Sequence, residues 1–81
     1  MDPQMITQRR TALGLTQQQL ADAVGVHRIT VVRWEAGRAV PLGMAARLLE
    51  ETLTRLEKDQ AQRAARRAAY AARTAQQNDA R

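Results

Sequence analysis

Residues Gly14 to Gly37 read GLTQQQLADAVGVHRITVVRWEAG. Two short helical patterns lie in this stretch, separated by Gly25 and closed by Gly37. Thr16-Gln-Gln-Gln19 has the form of a capping box, in which Thr16 caps the first helix and Gln19 reaches back to it. Leu20, Ala21 and Val24 then form one buried stripe, and Gly25 supplies the stop. The second pattern runs from about Arg28 to Ala36, with His27, a poor capping residue, at its N-cap. At ~100° per residue, Val31 and Trp34 point one way, and Ile29, Val32, Arg33 and Ala36 point the other, flanked by Arg28. Val31 and Trp34 fill a core face, so Ile29 and Val32 cannot both be core.

The flanks extend the helical reading. Asp2 and Pro3 are suited to the cap and first position of a helix. Met5, Ile6, Arg9, Ala12 and Leu13 repeat at helical spacing up to the stop at Gly14. Pro41 is expected to open a last helix near its first position, with Gly43 weakening the first turn by up to ~1 kcal/mol relative to alanine. Leu42, Ala46, Leu49, Leu53 and Leu56 alternate four and three apart, the stripe of a packing helix or a short coiled coil. Met44 and Leu48 are read as a second edge toward the core. Beyond Leu56 the next seam positions are Gln60, Arg63 and Arg67. The following segment, QAQRAARRAAYAARTAQQ, has high helix propensity but no apolar seam beyond its alanines and Tyr70. One helix is expected from Pro41 to at least Lys58, fraying into the seventies; fully helical, it would make a rod of about 50 Å.

Composition narrows the function. The chain has 81 residues, enough for one domain with a modest core. A net charge of +5 favours a polyanionic partner, either nucleic acid or an anionic membrane surface. With one Trp, one Tyr and no Phe, stacking platforms for single strands are scarce, which favours duplex. The absence of cysteine and the single histidine exclude disulfides, thiol catalysis and a His-based metal cluster. No apolar run approaches the ~20 residues of a membrane span, and MDPQMITQRR has no apolar signal region, so a cytoplasmic location is expected. No paired carboxylates, nucleophile–base set or phosphate loop is present. No catalytic residue, metal site or cofactor is therefore assigned, and an enzyme is not expected.

Two helices joined by a tight turn with a central glycine form the helix-turn-helix pattern. Arg10, Gly14-Leu15-Thr16-Gln17, Leu20-Ala21, Gly25-Val26 and Glu35-Ala36-Gly37 stand in one register. With these residues the stretch from about Ile6 to Pro41 resembles the Cro and lambda-repressor family, also called the XRE family. The resemblance implies an all-α, lambda-repressor-like helix-turn-helix domain, here with a long C-terminal helix. It implies a second helix that crosses the DNA backbone and a third that enters the major groove. Arg28, Ile29, Val32 and Arg33 are then the expected base contacts. Arginine there takes guanine O6 and N7, and an apolar side chain meets the thymine methyl. Relatives usually carry polar residues at positions 29 and 32, so the target sequence is expected to differ from theirs. Gln17, Arg38, Thr30 and His27 are the expected backbone contacts, and Ala36 cannot make the contact that Asn often makes there. Arg10 and Glu35 are implied to form a structural ion pair. Trp34 is read as core, and Arg9 is left between an exposed position and a phosphate contact.

The family usually follows the recognition helix with two short helices; one long helix is expected here. Part of its seam should cover the other helices, and Leu49, Leu53 and Leu56 are expected to pack on a second subunit. The domain is drawn as residues 1–58, with the helix-turn-helix at about 17–36. Residues 59–81 form an Ala/Arg-rich extension, fraying or disordered at its end, whose arginines are first of all a solvated face. The expected function is that of a sequence-specific regulator of transcription that binds double-stranded DNA. A homodimeric repressor on an inverted-repeat operator is favoured, one that regulates its own operon in a phage or other mobile element. The rival is an antitoxin-like protein whose long helix binds a partner toxin.

Overall fold

The computed structural model describes residues 1–79, with side chains to residue 76. It contains four helices: α1 (Pro3–Ala12), α2 (Gln17–Val24), α3 (Arg28–Glu35) and α4 (Gly43–Asp79). Their starts follow from local chemistry. The Asp2 carboxylate accepts a hydrogen bond from the Met5 N–H at 2.8 Å, satisfying one of the orphan donors of α1. Thr16 Oγ1 accepts from the Gln19 N–H at 3.0 Å, and Gln19 Oε1 accepts from the Thr16 N–H at 2.8 Å, so the capping box of α2 is complete. His27 precedes α3 without a side-chain capping bond.

The turn between α2 and α3 is three residues long and depends on Gly25, at φ +92°. A side chain would strain that left-handed backbone. The entry to α4 differs from expectation. Pro41 lies in the connecting loop, and the helix begins at Gly43 with φ +54°. Gly43 is therefore not a weak residue inside a first turn. It makes the left-handed step through which the chain enters the helix.

Helices of eight to ten residues are marginal alone in water and depend on packing. The core that holds them comprises Ile6, Leu20, Ala21, Val24, Val31, Trp34, Leu49 and Leu53, edged by Leu13, Val26, Ala39 and Ala45. From the expected stripe of α1 only Ile6 is buried; Met5 and Ala12 are exposed. Two expectations for α4 are corrected. Leu49 and Leu53 have no exposed surface, so they belong to the core of the single chain and cannot face a second subunit; Leu56 is half-buried at the core's edge. Met44 and Leu48 do not face the core but are exposed. Met44 lies nine residues before Leu53, half a turn around the helix at ~100° per residue. Leu42 is exposed too, because it precedes the first helical residue.

Arg9 fastens α4 to α1. Its Nε and Nη2 donate to the two Glu57 carboxylate oxygens at 2.9 and 2.6 Å, and its Nη1 donates to Glu50 at 2.9 Å. Gln60 Nε2 donates to the Ala12 carbonyl oxygen at 3.3 Å. Beyond this point α4 leaves the other helices, and residues 61–76 are exposed throughout. The helix is unbroken to Asp79; an expected loss of order at residues 80 and 81 lies outside the described residues. The molecule is elongated, 60 × 20 × 19 Å. Among the described residues, no helix is long and apolar enough to cross a membrane.

Candidate nucleic-acid interface

α3 is anchored by one face and open on the other. Val31 and Trp34 are buried. Arg28, Ile29 and Arg33 are exposed on the opposite side, with Thr30 and Val32 half-buried between the two faces. His27 and Arg38 are exposed at the two ends. Ile29 keeps about half its surface, 53%, in water. A large apolar side chain between two arginines on an exposed helix face is the arrangement that reads thymine methyls and guanines in a major groove.

The electrostatics of this face depend on a carboxylate kept away from it. Glu35 ends α3 and receives Arg10 Nε at 2.7 Å and Arg10 Nη2 at 2.9 Å. Thr7 Oγ1 donates to the same carboxylate at 3.1 Å and Gln17 Nε2 at 3.3 Å. Arg10 Nη1 also donates to the Leu15 carbonyl oxygen at 2.7 Å. One charged node thus joins α1, the loop after it, the start of α2 and the end of α3. Burial pushes the Glu35 carboxyl up, but the bonds from Arg10, Thr7 and Gln17 outweigh it and hold the group below its ordinary value. Glu35 is ionised, and its charge is matched by Arg10. Arg28, Arg33 and Arg38 have no carboxylate in salt-bridge range among the described residues, so α3 presents unmatched positive charge.

Gln17 is the first residue of α2, at the positive end of that helix's dipole. Its side chain is half-buried and spends one amide N–H on Glu35; the amide carries a second. Gln17 therefore belongs to the structural node as well as to the edge where a phosphate would lie. The structure brings Arg28, Ile29 and Arg33 together on one face, with Val32 partly withdrawn. Sequence reasoning missed Thr7 and the clamp of Arg9 on Glu50 and Glu57. Thr7 sits three residues before Arg10 on the same helix face, a signal that was available. Arg9 and Glu57 are 48 residues apart, and no spacing rule links them.

A family model described as helix-turn-helix matches residues 6–55, which cover α1, α2, α3 and the packed part of α4. A protein of the archaeon Methanothermobacter thermautotrophicus, described as an uncharacterized HTH-type transcriptional regulator, is 41% identical over 51 residues. That alignment covers 63% of this chain and 74% of the relative. No solved structure matches the chain.

Proposed function

From the premise that the chain belongs to the Cro and lambda-repressor-like (XRE) family of helix-turn-helix DNA-binding proteins, we propose that it is a homodimeric repressor acting in the cytoplasm on an inverted-repeat operator. Binding of a regulator to DNA is what the family does; the repressor role, the dimer and the residue assignments are our reading. The observation that carries it is the open face of α3, where Ile29 stands exposed between the unmatched Arg28 and Arg33. In this reading α3 lies in the major groove, and Arg28 and Arg33 take guanine edges. Ile29 and the exposed part of Val32 meet thymine methyls. Gln17, Thr30, His27 and Arg38 meet phosphates on either side and set the register. A dimer would place two such helices about 34 Å apart, one turn of duplex. Occupying an operator that overlaps a promoter would block polymerase. The chemistry is binding alone.

A second reading keeps this head and gives the projecting end of α4 a protein partner, as an antitoxin-like protein would. It is favoured by one observation: residues 61–76 are exposed along the whole helix.

The test is a binding selection from a random duplex library near physiological salt, with wild-type protein and Arg33→Ala. The wild type should enrich an inverted repeat with half-sites about one turn apart. Arg33→Ala should bind the best site about 1–3 kcal/mol more weakly and lose preference at one position per half-site. An identical preference in both proteins would remove Arg33 from the readout. Salt-sensitive binding without any enriched sequence would remove the regulator reading itself.

A further inference from the structure

The exposed large apolar side chains are not spread evenly. Met1 and Met5 lie at the N-terminus, Ile29 lies on the face of α3, and Tyr70 lies on the projecting end of α4. The other four, Val40, Leu42, Met44 and Leu48, fall within nine consecutive residues and are 65, 74, 66 and 38% exposed. Met44 and Leu48 are one turn apart on the face of α4 that points away from Leu53, and Val40 and Leu42 precede them in the loop from α3. Scattered surface apolars need no explanation, but a cluster exposing on the order of 400 Å² has the size of an interaction site.

We propose that Val40, Leu42, Met44 and Leu48 are the surface on which a second copy of this chain docks, in a contact weak enough to need DNA to complete it. The cluster carries no charge of its own, and Arg47 and Glu51 beside it pair with each other at 3.6 Å. Two copies of a chain with net charge +5 can meet here without setting arginine against arginine. On α3, or on the arginine-rich end of α4, they cannot. The area sets the strength: a standard interface takes about 800 Å² from each partner, roughly twice what this cluster offers. Two copies held on adjacent half-sites gain the effective concentration that the contact lacks. The position also fits. Val40 follows the end of α3 by five residues, so a two-fold contact here turns the C-terminal ends of two recognition helices toward one axis, the symmetry of an inverted repeat. This last step rests on the proposed DNA reading; the contact itself does not.

Sedimentation equilibrium of the full chain, free of DNA and from nanomolar to near-millimolar concentration, decides the contact. The expected result is reversible monomer–dimer exchange, with dimer only at micromolar concentration or above. The double variant L42E/M44E should weaken it at least tenfold, the order expected for losing central contacts in both copies. Both residues are exposed, so the unfolding midpoint reported by Trp34 should not move. Tyr70→Glu, on the projecting helix, should dimerise like wild type. A wild type that stays monomeric throughout, or an L42E/M44E protein that dimerises unchanged, would overturn the proposal. So would a dimer that persists at nanomolar concentration, or one abolished by Tyr70→Glu. The binding selection is a separate arm: failure to enrich any sequence would overturn the DNA reading, while sedimentation would still decide whether two copies meet at this surface.

Discussion

The packed head and the projecting end of α4 are both helical, for opposite reasons. In the head, three helices of eight to ten residues hold their shape through a shared core and two arginine clamps, Arg10 on Glu35 and Arg9 on Glu57. In the projecting end, residues 61–76 have no tertiary support from the chain. Eight of those sixteen residues are alanine, the best helix former, and none is acidic. The costly step of starting a helix has already been taken where α4 packs on α1, so the remainder needs only to propagate. One region is helical because it is packed, the other because its residues prefer helix and its first turn is anchored. Perturbations should divide along that line. Trp34, the single tryptophan, lies in the head's core and reports on the head alone, whereas far-UV ellipticity reports on both regions.

The largest effect should come from the Arg10–Glu35 node. Glu35→Ala leaves a mostly buried guanidinium without its carboxylate and should cost the head about 3–5 kcal/mol. Urea unfolding followed by Trp34 fluorescence would measure it; a loss below ~1 kcal/mol would mean that the pair behaves as a solvated one. Acid should act on the same node. Glu35 is held below its ordinary value by the balance described above. Glu57 is held below its own by the hydrogen bond from Arg9, with burial opposing. A carboxylate lowered on folding contributes stability that is fully present above its unfolded value and is lost as the pH falls through its folded value. The head should therefore weaken on acidification below the ordinary carboxylate range. The projecting end, with no carboxylate in residues 61–76, should not weaken directly. Equal loss of both regions at one pH in Trp34 fluorescence and ellipticity would show that they are coupled.

Leu53→Ala comes next and marks where the head stops. Leu53 is fully buried in the single chain, so truncation should leave a cavity and cost about 3 kcal/mol. The loss should appear in Trp34 unfolding at any protein concentration. If Leu53 instead packed against a second copy, the loss would shrink on dilution, because only the dimer would feel it.

What the sequence disclosed follows the same division. The starts of α1 and α2 and the stop at Gly25 are set by neighbouring residues, and local rules place them. The two faces of α3 could be read from Val31 and Trp34 because those residues must be buried somewhere. The partner of Arg10 came from family resemblance rather than from spacing. α4 shows the limit of periodicity. A four-three seam shows that Leu49 and Leu53 share a face, but the pattern is the same whether that face meets its own head or another chain. For Met44 and Leu48, apolar character was read as inward direction, although their place around the helix sets them opposite Leu53. Gly43 was judged by propensity, and its need for a left-handed backbone depends on how the loop delivers the chain. Arg9 finds Glu57 only once α1 and α4 are side by side.

The smallest expected change tests the projecting end directly. Ala68→Gly, in the interior of an exposed helix, should cost that segment up to ~1 kcal/mol of local helix stability. In the head a substitution of that size would move the unfolding midpoint, because every residue there shares one cooperative core. Here it should lower the far-UV ellipticity and leave Trp34 unfolding where it was, since no core side chain touches this part of α4. A shifted Trp34 midpoint would show that the extension supports the head, through a contact the exposure of residues 61–76 does not suggest. An unchanged ellipticity would show that alanine propensity is not what holds the segment, and a partner, most simply a second copy, would have to be supplying the order.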